Sequence, residues 1–295
     1  MDDLTTEFER HRDLMYAVAY RMLGIAADAD DVVQDAWLRW SSADRSGVDE
    51  PRAYLVRIAT NLAINRLTSA RARREAYVGP WLPEPVRTGP DVAESAELAD
   101  SVSFAMLVVL ERLTPVERAV FLLREVFGFS HAEIAEVTGR SEAGVRQLAH
   151  RARERVREGR PKYSADRAEQ RRVTAEFIDA CRGGDVDKLM EVLAPDVTMW
   201  SDGGGVRRAA RNPIRGVEKV VRLATALVSM VWWEGAEPYE FADINGALGV
   251  ILHEAPGDGG VVLLPEIADG RITALNVVVN PEKLRALHRG DVLNY

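Results

Sequence analysis

The sequence predicts a multidomain protein in which two all-α domains precede an α+β domain. Apolar residues near the N-terminus, such as Leu55, Ile58 and Leu62, recur at the three-to-four spacing of a buried helix face. Residues 79–90 contain four prolines, so neither a helix nor a central strand can continue through them. From residue 197 onward, short segments rich in β-branched residues alternate with Asp-Gly and Gly-Gly pairs, which is typical of strands and turns.

These changes along the chain predict four segments. They are an all-α domain over 1–77, a proline-rich linker over 78–92, a second all-α domain over 93–160 and an α+β domain over 167–295. The 295 residues agree with more than one domain, at roughly 100 to 200 residues each. In the last segment we expect helices up to residue 181 and over 186–193, then strands over 197–200, 247–253, 261–267 and 271–279.

The composition indicates a folded chain in water, since 47% of the residues are hydrophobic and 28% are charged. The longest clean apolar run, 105–110, is too short to span a membrane, and the first residues are acidic where a signal peptide is basic. We therefore expect a cytoplasmic protein with no membrane partner. Cys181 is the single cysteine, which excludes internal disulfides and a thiol-based zinc site, and we expect it to be a small buried residue. No metal site and no cofactor is predicted.

The formal net charge of −8 argues at first against a partner made of nucleic acid. The charge is unevenly distributed, however. Residues 66–74 hold four arginines and no acid, and residues 140–162 hold seven arginines and one lysine against three glutamates. Two local basic patches therefore keep nucleic-acid binding open.

Residues 131–148 have the pattern of a helix-turn-helix. Small Ala135 allows two helices to approach, Gly139 suits a turn with positive φ, and Val145 packs the second helix onto the first. Ser141 stands where a helix N-cap is expected. The second helix carries polar and basic residues that can reach a DNA major groove, which favours DNA binding over a structural hairpin with a solvated basic face.

Two segments of the first domain carry further polar patterns. On the helix over 28–40, acidic and amide residues face away from the apolar side, which taken alone is usually solvated surface. The segment 51–67 combines aromatic, amide and arginine side chains, which suit unpaired bases, although Tyr54 could equally belong to the core.

In this order the segments resemble the bacterial RNA polymerase sigma factors of the extracytoplasmic-function (ECF) class. The resemblance implies that core RNA polymerase, through its beta-prime and beta subunits, and promoter DNA are the partners. It implies that the beta-prime coiled coil is gripped by Asp30, Asp31, Gln34 and Asp35. For the −10 element it implies Tyr54, Arg57, Asn61, Asn65, Arg66, Arg71, Arg73 and Arg74. For the −35 element it implies Ser141, Arg146, Gln147, His150, Arg151 and Arg153.

The last third of the chain resembles SnoaL-like domains, which are α+β cones that a subgroup of these sigma factors carries. The resemblance implies that this domain contacts the sigma domains and modulates their activity within the same chain. Three motifs of the subgroup supply the predicted regulatory contacts: Trp81, Leu82, Pro83, Glu84 and Pro85; Asp202, Gly203, Gly204 and Gly205; and Asn280, Pro281 and Lys283. Val206 stands where the subgroup has a lysine. We expect Trp81 to be a rigid anchor between the sigma domains, or else an ordinary packing residue.

Other functions remain open at this stage. Some SnoaL-like proteins are enzymes, and Asp202, His253 and Glu254 are the only obvious candidates for a base here, with His253 more typical of a core residue. We predict no catalytic residue, and we leave room for a small ligand in a pocket of this domain. A two-domain DNA-binding repressor and a SnoaL-type enzyme fused to a DNA-binding module are the rival interpretations.

Overall fold

The computed structural model describes residues 3–44, 48–74, 76–88, 103–159, 165–231, 239–253, 260–289 and 292–293. Contacts within the chain divide it into two compact units. Residues 1–76 and 106–160 form what we name the helical unit, and residues 77–105 and 161–294 form the sheet unit. The first part of the proline-rich linker thus packs with the sheet unit. None of the described helices is long and apolar enough to cross a membrane.

The helical unit contains the helices of both predicted all-α domains. They are α1 (Asp3–Leu23), α2 (Ala26–Ser42), α3 (Pro51–Arg74), most of α4 (Phe104–Leu110), α5 (Pro115–Phe121), a π-helical turn (Leu122–Val126), α6 (His131–Thr138) and α7 (Glu142–Gly159). Capping boxes begin α5 and α6, where Thr114 and Ser130 exchange hydrogen bonds with Glu117 and Glu133 three residues later. These local signals explain why the helices begin at those positions.

The two sets of helices share a core. Helices α1, α2 and α3 pack against one another, and α3 also packs against α5 and α6. Val56 of α3 is fully buried in a cluster that includes Ile134 of α6 and Val145 of α7. The segment that the resemblance implies for the −10 element and the helix-turn-helix therefore share one hydrophobic core, a contact that the sequence pattern did not predict.

The sheet unit is an α+β domain, as the fold class predicted. Its elements are β1 (Arg87–Thr88), α8 (Arg167–Gly183), α9 (Val186–Val192), β2 (Leu193–Asp202), β3 (Ile214–Arg215), α10 (Val217–Val231), β4 (Tyr239–Ile244), β5 (Ala247–Leu252), β6 (Val261–Ala268), β7 (Arg271–Val278), α11 (Pro281–Arg289) and β8 (Val292–Leu293). In the described residues the sheet order is β3-β2-β7-β6-β5-β4-β1-β8. Strands β2 and β7 pair in parallel, as do β1 and β8, and the other neighbours are antiparallel.

The core of the sheet unit lies between the sheet and helices α8, α9 and α10. Cys181 of α8 is buried there, as expected from the sequence. Burial raises the pKa of its thiol to about 12, so the sulfur behaves as an apolar atom at neutral pH. The predicted strands correspond to β2, β5, β6 and β7, whereas α10, α11, β4 and the two-residue strands β1, β3 and β8 were missed.

Candidate functional sites

The helix-turn-helix has the local geometry that its sequence indicates. Gly139 follows α6 in the left-handed conformation, with φ of +64°, which a residue without a Cβ adopts at little cost. Ser141 precedes α7, and its hydroxyl accepts a hydrogen bond from the Gly144 amide at 3.2 Å. Val145 and Leu148 are buried against the rest of the unit. These contacts fix which face of α7 remains in solvent.

All six residues that the resemblance implies for the −35 element are exposed, five of them on α7 and Ser141 directly before it. They are Ser141, Arg146, Gln147, His150, Arg151 and Arg153. Two of these arginines have acidic neighbours on the surface, because Arg146 pairs with Glu142 and the Nε of Arg153 lies 3.4 Å from Glu125. Such exposed pairs are weak, so phosphates or base edges can replace them. The face can therefore bind a polyanion.

Helix α2 presents the residues implied for polymerase docking. Asp30, Asp31 and Gln34 are exposed and Asp35 is half-buried. A groove of about 290 Å³ runs between α1 and α2, and Asp30 and Gln34 line it together with Trp37. The lining combines the acidic side chains Glu9 and Asp30 with aromatic ones and one arginine, Arg12, and its acidic groups suit a basic surface of a partner.

Arg66 of α3 ties two of these carboxylates together. Its guanidinium donates to Asp31 at 2.9 Å and to Asp35 at 2.8 Å. Both carboxylates raise the pKa of Arg66 against the opposing effect of its burial. A residue implied for the −10 element therefore neutralises residues implied for polymerase docking.

Helix α3 places the other −10 residues in differing surroundings. Tyr54 is half-buried, with its ring 5.9 Å from that of Trp40 and 5.8 Å from the Arg57 guanidinium. The side-chain amide of Asn61 donates to the Val137 carbonyl of α6 at 3.1 Å, while Asn65 is exposed. Arg71, Arg73 and Arg74 belong to α3, but their side chains lie outside the described part of the chain.

In the sheet unit, the three sequence motifs meet at one buried carboxylate. Asp202, at the end of β2, is fully buried and accepts hydrogen bonds from the Tyr77 hydroxyl at 2.5 Å, the Leu82 amide at 2.8 Å and the Gly204 amide at 3.1 Å. The ammonium group of Lys283 donates to Oδ2 of the same carboxylate at 2.6 Å, the oxygen that also accepts from the Leu82 amide. A buried carboxylate is stable only when it is paired and hydrogen-bonded in this way.

Lys283 joins the same carboxylate to the linker. Its side chain is 8% exposed, and besides Asp202 it donates to the Leu82 carbonyl. The ammonium group also lies 4.2 Å from the centre of the Trp81 ring and 5.2 Å from that of Tyr77, both within cation–π range. We name Tyr77, Trp81, Leu82, Asp202, Asn280 and Lys283 the linker cluster.

Asn280 belongs to the linker cluster through its contact with Tyr77, and Gly204 leaves room for the Asn280 side chain. Asn280 donates to the Tyr77 hydroxyl at 3.0 Å. Gly204 has φ of +62°, and a Cβ there would lie 2.4 Å from the Asn280 amide nitrogen, so only glycine fits. Burial and the Asp202 carboxylate raise the pKa of Tyr77 above its ordinary value of 10.0, which keeps the phenol protonated as a donor.

A second set of contacts fastens the end of the described linker. Arg87 of β1 makes two hydrogen bonds of 2.8 Å with Glu240 of β4. Val86 exchanges backbone and side-chain hydrogen bonds with Asn245, at 2.9 and 3.2 Å. The sequence analysis did not single out Tyr77, Arg87, Glu240 or Asn245, although Asn245-Gly246 is a typical hairpin turn signal.

Several expectations for these residues need correction. The Trp81 ring lies 4.2 Å from the Lys283 ammonium group of the sheet unit, and its role as an anchor for the sigma domains stays a prediction. His253 is no core residue: its side chain is 47% exposed, and its Nε2 lies 3.6 Å from Glu240. Val206, which replaces the subgroup's lysine, is exposed. Glu254 lies outside the described residues.

The remaining motif residues have simpler surroundings. Pro83, Glu84 and Pro85 are buried in the sheet unit. Gly203 and Gly205 flank Gly204 in the turn after β2, and Pro281 begins α11.

Comparisons with known proteins agree with this architecture. Models of sigma-70 region 2 and sigma-70 region 4 match residues 8–73 and 103–156. The chain is 40% identical over 288 residues to the ECF RNA polymerase sigma factor SigJ of Mycobacterium tuberculosis, covering 94% of this chain and 92% of the relative. It is 35% identical over 292 residues to the probable ECF RNA polymerase sigma factor SigI of the same species, covering 97% and 96%.

The similarity extends to the three-dimensional structure. The crystal structure of M. tuberculosis SigJ superimposes with a TM-score of 0.76 at 38% identity, covering 96% of this chain and 98% of that chain. The two helical regions thus define a sigma factor of the sigma-70 type. The chain belongs to the ECF RNA polymerase sigma factors, and an α+β domain follows its two sigma regions.

Proposed function

We propose that this sigma factor directs core polymerase to a restricted set of promoters and that its SnoaL-like domain controls it by holding the linker. Helix α2 docks on the beta-prime subunit, α3 captures the −10 strand and α7 reads the −35 duplex. The beta subunit is a further contact in the same complex. The site of action is the cytoplasm, where bacterial polymerase works.

The shared core of the helical unit supports a closed resting state. The −35 and −10 elements are named for their positions along the promoter, so they lie about 25 base pairs apart. At roughly 3.4 Å per base pair, this separation is about 85 Å. A compact unit of about 130 residues has a radius of gyration of only about 14 Å. The contacts of Val56 and Asn61 with the helix-turn-helix must therefore part before both elements can be bound at once.

The linker cluster limits this opening through the length of the chain. Residues 77–88 are part of the segment that connects the two sigma domains, and they are held on the sheet unit by Asp202, Lys283 and Glu240. Their release adds at most about 40 Å of reach, at roughly 3.3 to 3.6 Å per residue. The observation that supports the proposal is the buried contact of the Leu82 backbone with Asp202 and Lys283. In this proposal the SnoaL-like domain controls the sigma domains by restraining the linker.

A catalytic role for the SnoaL-like domain receives no support from Asp202. Its carboxylate is fully buried and is engaged by Tyr77, Leu82, Gly204 and Lys283. A general base needs a free lone pair next to a substrate. We therefore propose that the domain is regulatory and has no enzymatic activity.

In vitro transcription with core polymerase tests the restraint. Trp81→Ala removes a cation–π contact of about 2 kcal/mol. Tyr77→Phe removes two hydrogen bonds, the one donated to Asp202 and the one accepted from Asn280, of about 1 kcal/mol each. Both changes lie in the linker and leave the Asp202–Lys283 pair in place. We expect each to raise transcription from the preferred promoter, by up to about 30-fold for Trp81→Ala, which is the equivalent of about 2 kcal/mol.

Val78→Ala is the matched control, because Val78 belongs to the same segment but is exposed. It should leave transcription unchanged. Unchanged or reduced transcription by both cluster variants, with normal binding to core polymerase, would refute the restraint. No promoter-dependent initiation by any form would refute the sigma function itself.

A further inference from the structure

The β3 edge of the sheet unit carries a third concentration of positive charge, which the sequence analysis did not single out. Residues 206–222 hold five arginines and one lysine against one glutamate, in a chain whose formal net charge is −8. Five of these six cations are exposed, and we name them the basic surface: Arg208, Arg211, Arg215, Lys219 and Arg222. The family resemblance implied no role for any of them.

The first part of the basic surface lies on a turn and a strand with anchored backbones. Arg208 and Arg211 belong to the segment between β2 and β3. Between them, the Ala210 amide donates to the Ser201 hydroxyl of β2 at 2.9 Å, which fixes this segment to the sheet. Arg215 lies on β3, which is the edge strand of the sheet in the described residues.

Helix α10 continues the basic surface. Lys219 and Arg222 are three residues apart, so they share one side of the helix, while Val220 is buried in the core of the sheet unit. The Gly216 amide, just before α10, donates to the Val197 carbonyl of β2 at 2.9 Å and so ties the start of the helix to the sheet. Turn, strand and helix therefore present their cations at the same edge of the sheet unit.

Among the described residues, no acidic side chain forms an ion pair with the basic surface. Elsewhere in the sheet unit, cations do have such partners: Arg172 and Lys188 pair with Glu176 at 2.7 and 3.2 Å. Neighbouring like charges repel one another, so the basic surface does not help the domain to fold. Its charges suit a polyanion, whose phosphates supply the missing negative charge.

The length of the chain keeps this surface close to DNA whenever α7 is bound. Residues 160–166 separate the end of α7 from the start of α8. They span at most about 25 Å, at roughly 3.3 to 3.6 Å per residue. One helical turn of DNA is about 34 Å long. Because a short tether gives an effective concentration of about millimolar, weak contacts with phosphates suffice for binding.

We propose that the basic surface binds the phosphate backbone of the promoter duplex beside the −35 element. Phosphate contacts carry no sequence information, so they strengthen binding to all promoters alike and fix the sheet unit on the duplex. The sheet unit then holds DNA as well as the linker. This inference rests on the proposed binding of α7 to the −35 duplex, which brings the basic surface to the DNA.

The first test measures binding of the full chain to a duplex with the preferred −35 sequence and long flanks, over a range of salt concentrations. Each phosphate contact contributes about 0.9 to the slope of log affinity against log salt. Arg215→Gln should therefore reduce the slope by up to about 0.9, and the triple variant with Arg211→Gln and Arg222→Gln by up to about 3. Arg271→Gln is the matched control, because Arg271 is an exposed arginine at the start of β7, and it should leave the slope unchanged.

The same variants are then compared on other duplexes. The preference for a matched over a mismatched −35 sequence should be unchanged in the triple variant, since only phosphate contacts are lost. On a duplex trimmed to the −35 element, the triple variant should bind like the natural chain.

The second test detects the contact by cleavage of the DNA. Cys181 is the single cysteine and is buried, so a thiol introduced on the surface can be labelled selectively. An iron chelate that produces hydroxyl radicals is attached to the variant Arg215→Cys or to the control Arg271→Cys. The label of Arg215→Cys should cleave the duplex beside the −35 element, and that of Arg271→Cys should not.

An unchanged slope in the triple variant, or equal cleavage from the two labelled positions, overturns the proposal. A slope that changes only when core polymerase is present also overturns it, because the partner is then an acidic surface of the polymerase. Failure of the proposed function is seen separately, as equal binding of the natural chain to matched and mismatched −35 duplexes.

Discussion

Helix α7 and the linker cluster use charged residues in opposite ways. On α7, Arg146 and Arg151 are exposed, so their charges are available to a partner outside the chain. In the linker cluster, Asp202 and Lys283 are buried, and their charges compensate each other. An exposed charge contributes little to folding and can serve recognition, whereas a buried pair is tied to the fold. The difference predicts which substitutions affect DNA or polymerase binding and which affect the linker and the stability of the chain.

The largest effect should come from breaking the buried pair on one side only. Lys283→Met leaves Asp202 buried without its cation and should lower the free energy of unfolding of the sheet unit by about 3 to 5 kcal/mol. The double variant Asp202→Asn with Lys283→Met removes both charges and should recover most of this loss. Urea unfolding followed by hydrogen exchange in β2 and β7 measures both. An equal loss in the single and double variants would contradict the pairing argument.

The next effect concerns the exposed face of α7. Arg146→Ala should weaken binding to the preferred −35 sequence by about 1 to 3 kcal/mol if Arg146 reads a base. Competition binding between matched and mismatched duplexes measures the difference. Arg157→Ala is the control, because Arg157 is an exposed arginine near the end of the same helix. Its loss should be smaller and independent of sequence, and an equal loss for Arg146→Ala on every duplex would rule out base reading.

A smaller effect is expected where Arg66 holds Asp31 and Asp35. Asp31→Asn should weaken binding to core polymerase by roughly 0.2 to 1 kcal/mol, and the loss should shrink at high salt because the site is exposed. Arg66→Gln should instead strengthen binding to core polymerase, since it releases both carboxylates.

Titrations of core polymerase at low and high salt test this pair of changes. Asp13→Asn makes the same charge change as Asp31→Asn at an exposed position on α1, and it should have no effect. Weaker binding of Arg66→Gln to core polymerase would show that Arg66 does not compete for the two carboxylates.

The smallest effect is a dependence on pH of the contact between Arg87 and Glu240, which fastens the end of the described linker. Arg87 holds the pKa of Glu240 below its ordinary value of 4.5. A lowered pKa stabilises the fold at pH values above 4.5, and this stabilisation is lost as the pH falls through the lowered value. The protection factors of the linker amides at residues 86–88, which compare their exchange with the intrinsic rate at each pH, should therefore fall on acidification, and less so in Arg87→Gln.

Arg167→Gln controls for acid effects elsewhere in the sheet unit, because Arg167 pairs with Asp243 and not with the linker. It should leave the linker amides of residues 86–88 unchanged. Acid sensitivity of these amides that is identical in Arg87→Gln would show that Glu240 is not its source.

The features that the sequence predicted most reliably are those that depend on residues close together in the chain. Gly139 and Ser141 lie within a few positions of the turn that they form, so the helix-turn-helix could be recognised and its exposed face deduced. The family resemblance located the three motifs of the linker cluster. Their convergence on Asp202 could not be deduced, because Leu82 and Lys283 are distant in the chain and meet only through the pairing of β2 with β7.

Other features of the structure gave weaker signals. The contact of Val56 with the helix-turn-helix has no local pattern, since any buried apolar residue of α3 could serve the core of the first domain. Tyr77 lies at the end of the first predicted all-α domain, and its position in the sequence did not mark it as a residue that contacts Asp202. The β4–β5 hairpin, by contrast, had a readable signal in Asn245-Gly246, where both residues have positive φ.

The most direct test of the restraint compares hydrogen exchange of the Leu82 amide in the free chain and in the complex with core polymerase and promoter DNA. In the free chain this amide is buried and donates to Asp202. The account predicts strong protection in the free chain and faster exchange in the complex, because residues 77–88 must leave the sheet unit as the sigma domains separate. Equal or greater protection in the complex would contradict it.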